Sequence, residues 1–307
     1  MTAHSPPHFA DTLAALVEER RSRVVLGLDP DPAALWPSAV GDLGGRGGER
    51  FARALTAEAV TAHCRAAIVA AGPACVAVKL QLACFERLGG PGWEALERVA
   101  AIARDHGLLV IADGKRGDVP VTAAAYGQAL VGETPGLFGA VPGLGADAFT
   151  ANPLLGRDSL APLVDAAAAA GAGCFVLVRT SNDGAAELQD AGRPPLHEQL
   201  AMLTRELGEA QVGDCGLSLV GAVTGATEPR LLARLRELLP HAVFLLPGVG
   251  PQGGRVEDLG PAFQPHPAAG LVTASRSIVD AHVQRGGDPA RAASDAAEEL
   301  RAAAWRA

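Results

Sequence analysis

The segment LLVIADGKRGDV (residues 108–119) decides the fold, because it joins an apolar run to a cluster of charged residues. Its first half is continuously apolar, which is typical of a parallel strand that is buried on both faces. Similar runs occur along the whole chain, and each is followed by polar or turn residues. Together they predict eight strands, at residues 24–29, 75–81, 108–115, 147–153, 174–182, 217–224, 242–248 and 270–276.

Helical stretches separate these strands, for example at residues 93–107 and 228–240. Eight strands that alternate with helices predict an α/β protein with a single (β/α)8 TIM barrel. No linker divides the sequence, so we expect residues 1–307 to form one domain. An open, doubly wound sheet is the alternative. It is disfavoured because the first strand is not followed by G-x-G-x-x-G and the sequence contains no G-x-x-x-x-G-K-[ST] motif.

Composition excludes several classes of function. The formal net charge is -8 and the sequence has no basic tail, which argues against a nucleic-acid partner. The most apolar window, residues 161–178, is mostly Ala and Gly and contains Asp165, so we expect no membrane span. The amino terminus lacks an apolar signal core. These features predict a cytoplasmic protein.

Cysteine and histidine spacing predicts no metal site. The five cysteines are scattered, their number is odd, and they form no C-x-x-C pair, so neither a disulfide framework nor a zinc site is expected. The eight histidines show no H-x-x-x-H or H-E-x-x-H spacing.

Lysine use is unusually restricted. Among 26 basic Lys and Arg residues only two are lysines, Lys79 and Lys115. Codon bias could have removed the other lysines and left these two by chance. Alternatively, an ammonium group is required at both positions, because a guanidinium is effectively never deprotonated and cannot hand over a proton.

Charged residues end the first three strands: Asp29, Lys79, and the pair Asp113 and Lys115. Isolated charges on buried strands are very costly, so we expect opposite signs on neighbouring strands to pair. Asp113 and Lys115 are two residues apart and can face the same side, the barrel axis. Asp118 would point the other way unless the chain turned, and could otherwise serve a second subunit. An ion network that merely closes the barrel top is the structural alternative.

Two predicted connections are long, at residues 30–50 and 248–270. Both follow the carboxyl ends of strands, where barrel enzymes place their active sites. Long loops of this kind are often functional lids. The second begins GVGPQGG, which suits anion binding by backbone N–H groups, so we expect it to act as a lid. The first is expected to be a plain insertion.

Six motifs together resemble the orotidine 5′-phosphate decarboxylase family. The central one, D-G-K-R-G-D-V at 113–119, is similar to the family's D-x-K-x-x-D signature, and the match extends through Thr122. The likeness covers nearly the whole chain, and the long loops with the stretch at 145–156 resemble the larger bacterial branch. The other motifs are G-L-D-P (27–30), V-K-L-Q (78–81), R-T-S-N (179–182), P-G-V-G-P-Q-G-G (247–254) and S-R-S-I (275–278).

The resemblance implies decarboxylation of orotidine 5′-phosphate, a small-molecule substrate, without a cofactor or metal. Asp113 would sit beside the carboxylate that is lost, and Lys115 would deliver a proton to the ring carbon. Lys79 would bind ribose hydroxyls and hold Asp113. In a homodimer, Asp118 and Thr122 would reach into the neighbouring subunit's site. The residues expected to be catalytic are Lys79, Asp113, Lys115 and Asp118.

The remaining implied contacts bind the substrate. Asp29 would lie near the ribose and pyrimidine, and Arg276 would bind the phosphate. Three departures from the family pattern affect details only: Ser275 stands where many members have glycine, Val119 replaces the commoner isoleucine, and Thr180 could compete with Ser181 for the pyrimidine. The residues expected to bind the substrate are Asp29, Lys79, Thr122, Ser181, Pro247, Gln252, Ser275 and Arg276.

Three rival functions remain open from the sequence. A related barrel enzyme could act on a sugar phosphate with magnesium, but it would need a carboxylate near the second strand, where this chain has Lys79 and Gln81. An aldolase could form a lysine Schiff base, which borohydride trapping would detect. A degenerate barrel could bind nucleotides as a sensor, with tight binding and no turnover.

Overall fold

The computed structural model describes residues 6–41, 49–250 and 253–307. Its strands alternate with helices, in agreement with the sequence pattern. Each of the eight predicted strands is present, with bounds that differ by a few residues. The strands are β1 (Val24–Leu28), β2 (Ala77–Gln81), β3 (Leu109–Arg116), β4 (Glu133–Thr134), β5 (Val141–Pro142), β6 (Ala148–Ala151), β7 (Gly173–Arg179), β8 (Ser218–Thr224), β9 (Ala242–Leu246) and β10 (Gly270–Ala274).

Eight of these strands close into a parallel barrel in the order β1-β10-β9-β8-β7-β6-β3-β2. The prediction of a (β/α)8 TIM barrel is therefore confirmed. Register brings the charged strand ends together: Lys79 on β2 lies opposite Gly27 and Ile111, and Gln81 lies opposite Asp113. The barrel strands are buried along nearly their whole length, which explains why they read as continuous apolar runs.

Helices surround the barrel and connect its strands. The stretches expected to be helical, at 93–107 and 228–240, are helical over most of their length, in α5 and α10. The helices are α1 (Phe9–Arg20), α2 (Pro37–Val40), α3 (Glu49–Ala71), α4 (Leu82–Glu86), α5 (Gly90–Asp105), α6 (Pro120–Leu130), α7 (Arg157–Ala170), α8 (Ala185–Gln189), α9 (Leu196–Gly208), α10 (Pro229–Leu238), α11 (Arg276–Val279), α12 (Ala281–Arg285) and α13 (Pro289–Arg306).

Helix α1 covers the amino-terminal end of the barrel. The ring of Phe9 packs edge-on against Phe175 of β7, with centroids 5.9 Å apart. The guanidinium of Arg20 donates to the carbonyl oxygens of Cys75 and Gly107, which precede β2 and β3. This end is thereby closed by packing and hydrogen bonds, and the carboxyl end is left as the mouth.

Both long connections bury apolar side chains against the body of the protein. In the first, Trp36 is buried and its indole N–H donates to the carbonyl of Val279, so the segment is anchored to the body of the protein. Residues 42–48 of this loop lie outside the described part. In the second, Leu259 and Phe263 are buried and packed into the core. The expectation that this connection acts as a lid stays a prediction, and the buried apolar side chains among residues 256–269 pack that part of it against the barrel.

A short antiparallel hairpin, β4 with β5, follows α6 and has no counterpart in the sequence prediction. Leu137 and Phe138 at its tip are almost completely exposed, at 99% and 103% of their reference areas. Within residues 6–41, 49–250 and 253–307, no helix combines the length and the hydrophobicity that crossing a bilayer requires.

Candidate active site

A cavity of about 390 Å³ opens at the carboxyl ends of the strands. This is the end at which barrel enzymes carry their active sites. Charged groups at the ends of β1, β2 and β3 line it, together with small polar groups that follow β7 and the guanidinium of Arg276 after β10. Its lining residues are Asp29, Lys79, Gln81, Asp113, Lys115, Thr150, Thr180, Ser181, Asn182, Val223, Leu245, Pro247, Gly248, Val249, Thr273, Ser275, Arg276 and Ser277.

Asp113 is the centre of the charged cluster. Its carboxylate accepts a hydrogen bond from Lys79 Nζ at 2.6 Å on one oxygen and from Lys115 Nζ at 2.7 Å on the other. Asp29 lies 3.8 Å from Lys79 Nζ on the far side. The side chains of Lys79 and Asp113 are buried, whereas Lys115 is 42% exposed and faces the cavity. The charges therefore alternate in sign from Asp29 to Lys115.

The end of β3 is irregular, and this irregularity places Lys115. The pairing of β3 with β6 shifts register between Ala112 and Arg116. Lys115 has a φ of +48°, an uncommon conformation for a residue with a side chain. Its backbone N–H donates to the hydroxyl of Thr150 at 2.9 Å. A Cβ at Gly114 would lie 2.6 Å from the Cδ1 atom of Leu82, so a larger residue there would require this side chain of α4 to move.

Thr150 was not among the predicted site residues. Its hydroxyl donates to Asp113 at 2.8 Å, so this carboxylate has three donors. Thr150 is 1% exposed and lines the cavity from β6. The signal in the sequence was a threonine near the end of an otherwise apolar strand, DAFTANP, where a hydroxyl needs a partner.

The surroundings of Asp113 set its protonation. Burial by itself would raise the pKa of this carboxyl, but the nearby ammonium charges of Lys79 and Lys115 and their hydrogen bonds lower the pKa to about 2. Burial would likewise lower the pKa of Lys79, yet Asp113 and Asp29 raise it above its ordinary value. Both groups are therefore charged across the neutral pH range, and each is matched by an opposite charge.

The junction of β10 and α11 forms another part of the cavity wall, and β10 pairs with β1, the strand that precedes Asp29. Arg276 is exposed there, and among the described residues its guanidinium has no hydrogen bond or salt bridge. Ser275 and Ser277 flank it, and Gly248 faces it from the end of β9. A Cβ on Gly27 would overlap the hydroxyl of Ser275, which explains the glycine in the first strand. This region can supply a cation and small donors to an anion.

The loop after β7 also forms part of the cavity wall. Thr180, Ser181 and Asn182 line the cavity after β7, which β6 separates from β3, and Pro247 follows β9. The hydroxyl of Thr180 accepts from Gln189 and donates to Asn182, at 2.8 and 2.7 Å. The Thr180 hydroxyl is therefore already occupied within the loop, whereas among the described residues the Ser181 hydroxyl has no hydrogen bond.

Three predicted residues are not brought into this cavity. Asp118 follows the end of β3, is half-buried, and accepts a hydrogen bond from the N–H of Val119 at 2.7 Å. Thr122 is exposed on the first turn of α6. Neither lines the cavity of its own chain. Gln252 lies outside the described residues.

The described residues contain no group of three or more His, Cys, Asp or Glu side chains placed to hold a metal ion. At the mouth itself, the two carboxylates are those of Asp29 and Asp113, and Asp113 is taken up by three protein donors. The donor set at the mouth is suited to binding an anionic organic molecule rather than a divalent cation, which prefers several free carboxylates.

Comparison with known proteins agrees with this geometry. Residues 22–295 match the family model described as orotidine 5′-phosphate decarboxylase / HUMPS family. The chain is 38% identical over 273 residues to the orotidine 5′-phosphate decarboxylase of Deinococcus radiodurans, covering 89% of each chain. It is 39% identical over 311 residues to that of Halorubrum lacusprofundi, covering 95% of this chain and 97% of the relative.

Among solved structures, the OMP decarboxylase of Leishmania donovani superposes with a TM-score of 0.69 at 29% identity, covering 97% of this chain and 99% of that one. The family match extends over most of the chain, and it includes the strand ends that carry the charged cluster. The chain therefore belongs to the orotidine 5′-phosphate decarboxylase / HUMPS family.

Proposed function

We propose that the protein decarboxylates orotidine 5′-phosphate to uridine 5′-monophosphate, the last step of de novo pyrimidine nucleotide synthesis. This is the carboxy-lyase reaction EC 4.1.1.23. One observation carries the proposal: Lys115, with Asp113 and Lys79 behind it, lines the same cavity as Arg276. A nucleotide has its reacting ring and its phosphate at opposite ends. The cavity offers an ammonium at the end of β3 and a guanidinium after β10, with β1 and β2 between these two strands.

Lys115 is the proposed proton donor. When the bond between ring carbon six and the carboxylate breaks, the electron pair stays on the carbon and carbon dioxide leaves. A proton from the Lys115 ammonium then forms the new C–H bond, and solvent reprotonates the amine. A fixed charge that faces the developing carbanion is commonly worth roughly 10²–10³ in rate. The alternating charges described above hold this ammonium in place before the substrate reacts.

Binding energy from other parts of the substrate must add to that effect. Positioning of the reacting groups can contribute on the order of 7–11 kcal/mol. We propose that Arg276, Ser275 and Gln252 bind the phosphate and that this remote interaction holds the ring against Lys115. Asp29 and Lys79 would bind the ribose hydroxyls. Ser181 and Pro247 would contact the pyrimidine, with Ser181 preferred to Thr180 because the Thr180 hydroxyl is occupied.

We further propose a homodimer in which Asp118 and Thr122 complete the partner's site. Helix α6 supports this arrangement because it contains no charged residue, yet Val121, Thr122, Ala125 and Ala129 lie exposed along one side. A helix on a solvent-facing surface normally carries polar side chains there. Exposed apolar surface of this kind marks an interaction site. Asp118 lies next to this surface and outside its own cavity, as a residue contributed to a second subunit would.

The protein is proposed to work in the cytoplasm. All five cysteines are free thiols in the structure, and Cys64, Cys75 and Cys174 are buried. Free thiols are typical of proteins in a reducing compartment.

A chelator separates this function from the magnesium-dependent alternative. Purified protein mixed with orotidine 5′-phosphate is expected to give the ultraviolet absorbance change of uridylate formation. We expect the same rate with and without excess EDTA, because the reaction uses protein charges alone. Loss of activity on chelation, with recovery on adding Mg²⁺, would favour a metal-dependent reaction. Tight nucleotide binding without any absorbance change would favour the sensor.

A further inference from the structure

Gln189 lies outside the cavity but holds the loop that lines it. Its side-chain Oε1 accepts a hydrogen bond from the backbone N–H of Thr180 at 2.7 Å, and its Nε2 donates to the Thr180 hydroxyl at 2.8 Å. The Thr180 hydroxyl donates to Oδ1 of Asn182 at 2.7 Å. Thr180 and Asn182 both line the cavity, whereas Gln189 does not.

The hydrogen bonds that run from Gln189 through Thr180 to Asn182 form a relay. The backbone N–H of Thr180 fixes the direction of its donors and acceptors. A backbone N–H can only donate, so the Gln189 atom that faces it must be the amide oxygen. The amide nitrogen of Gln189 must then donate to Thr180, whose single hydroxyl proton is directed at Asn182. The Asn182 amide consequently presents its oxygen to Thr180, and its NH₂ group is left for other partners.

A second layer holds Gln189 in position. Arg179, buried at the end of β7, binds both oxygens of Asp190 at 2.8 and 3.1 Å and donates to the carbonyl of Thr180 at 2.6 Å. The ring of His197 contacts the carbonyl of Gln189 at 2.8 Å. Both ends of the segment from Thr180 to Asp190 are therefore tied to the barrel by hydrogen bonds, which restrain the side chain of Gln189.

We propose that Gln189 is a positioning residue for base recognition: through Thr180 it turns the Asn182 NH₂ group toward the cavity, beside Ser181, to donate to a carbonyl oxygen of the base. This inference rests on the proposed function, in which the ligand is a pyrimidine nucleotide. A uracil-type ring presents carbonyl oxygen where cytosine carries an amino group. The relay would therefore favour uridylate over cytidylate.

Gln189→Glu tests the relay because this substitution should reverse which groups donate and which accept between Thr180 and Asn182. A carboxylate accepts from both the N–H and the hydroxyl of Thr180, so the hydroxyl proton no longer points at Asn182. The Thr180 oxygen then accepts from the Asn182 NH₂ group, and the amide oxygen turns toward the cavity. We expect calorimetric titration to show that the preference for uridine over cytidine 5′-monophosphate shrinks about tenfold, the worth of one hydrogen bond.

Comparing two nucleotides separates the effect of the reversed hydrogen bonds from the effect of the added negative charge. The added carboxylate of Gln189→Glu repels both monophosphates equally, so their ratio reports the base contact. Gln189→Leu, which only frees the loop, is expected to weaken both nucleotides and to raise KM for orotidine 5′-phosphate more than it lowers kcat. Gln199→Leu is the matched control, since this exposed glutamine on α9 donates to the carbonyl of Pro194, away from the loop. It should leave both affinities unchanged.

The outcomes separate this inference from the proposed function. If the wild-type protein neither binds uridylate nor decarboxylates orotidylate, the proposed function fails and the inference fails with it. If the wild type does both, and Gln189→Glu keeps the wild-type ratio of affinities, the relay is overturned while the function stands. Thermal unfolding of each variant shows whether it folds. If Gln189→Leu does not fold, the ratio measured for Gln189→Glu decides alone.

Discussion

Replacing Lys115 with alanine is expected to reduce kcat for orotidine 5′-phosphate by at least about 10³-fold, because it removes both the fixed charge and the proton source. Lys115 is the one cation of the cluster that is substantially exposed to the cavity, whereas Lys79 is buried behind Asp113. Water entering the vacated space would have to supply the proton. The measurement is the absorbance change of the substrate at saturating concentration.

Lys115→Arg is expected to be nearly as inactive. A guanidinium keeps the positive charge and can still pair with Asp113, but it does not give up a proton at neutral pH. The pair of variants therefore separates electrostatic stabilisation from proton transfer. Arg116→Gln is the matched control, because it alters the neighbouring cation of the same strand, which pairs with Glu86 outside the cavity. It should keep kcat within a few-fold of the wild type.

Residual activity in these variants would contradict the assignment of Lys115 as the proton donor. If either variant turned over within about tenfold of the wild type while folding normally, another group would have to protonate carbon six. Uridylate binding provides the check on folding, because under the proposed function the phosphate is bound at Arg276 and not by Lys115. A variant that still binds the product and has lost turnover has lost chemistry rather than structure.

Asp118→Ala is expected to lose activity by a similarly large factor, although Asp118 does not line its own chain's cavity. Under the proposed homodimer, the partner's site loses a carboxylate beside the reacting ring. We expect purified Asp118→Ala to remain folded and dimeric in light scattering, since a half-buried polar side chain contributes little to packing. Turnover should fall while the mass of the particle stays that of two chains.

Mixing two inactive variants tests the sharing of sites directly. A heterodimer of Asp118→Ala with Lys115→Ala contains one site with both defects and one site with neither. After unfolding and refolding an equal mixture, half of the dimers are mixed and about a quarter of the wild-type activity should return. If both residues acted within one chain, the mixture would stay inactive. No recovery, together with proof that heterodimers form, would contradict the shared site.

Much of the barrel could be predicted from the sequence because its strands are buried on both faces. Such strands read as unbroken apolar runs, and the charged residues that end them stand out because unpaired charges are costly to bury. The Asp113–Lys115 spacing also placed both side chains on one side of a strand, although the bend at Lys115 could not be read from the sequence. That bend depends on Thr150, which comes from a different strand 35 residues later.

Other features depend on contacts that no local pattern reveals. The hairpin β4–β5 consists of two strands of two residues each, too short to show alternation. Gln189 reaches Thr180 only because α8 turns the chain back toward β7. The second long connection read as a loop because its buried residues, such as Leu259 and Phe263, are separated by glycine and proline. Tertiary packing against the barrel determines its conformation.

A crystal structure with bound uridine 5′-monophosphate tests the central claim most directly, because it locates the ring relative to the charged cluster. The account predicts the phosphate against Arg276 and the Lys115 Nζ atom within about 3.5 Å of ring carbon six, the distance of a reactive contact. A nucleotide bound with its ring elsewhere, and Lys115 directed into solvent away from that carbon, would contradict it.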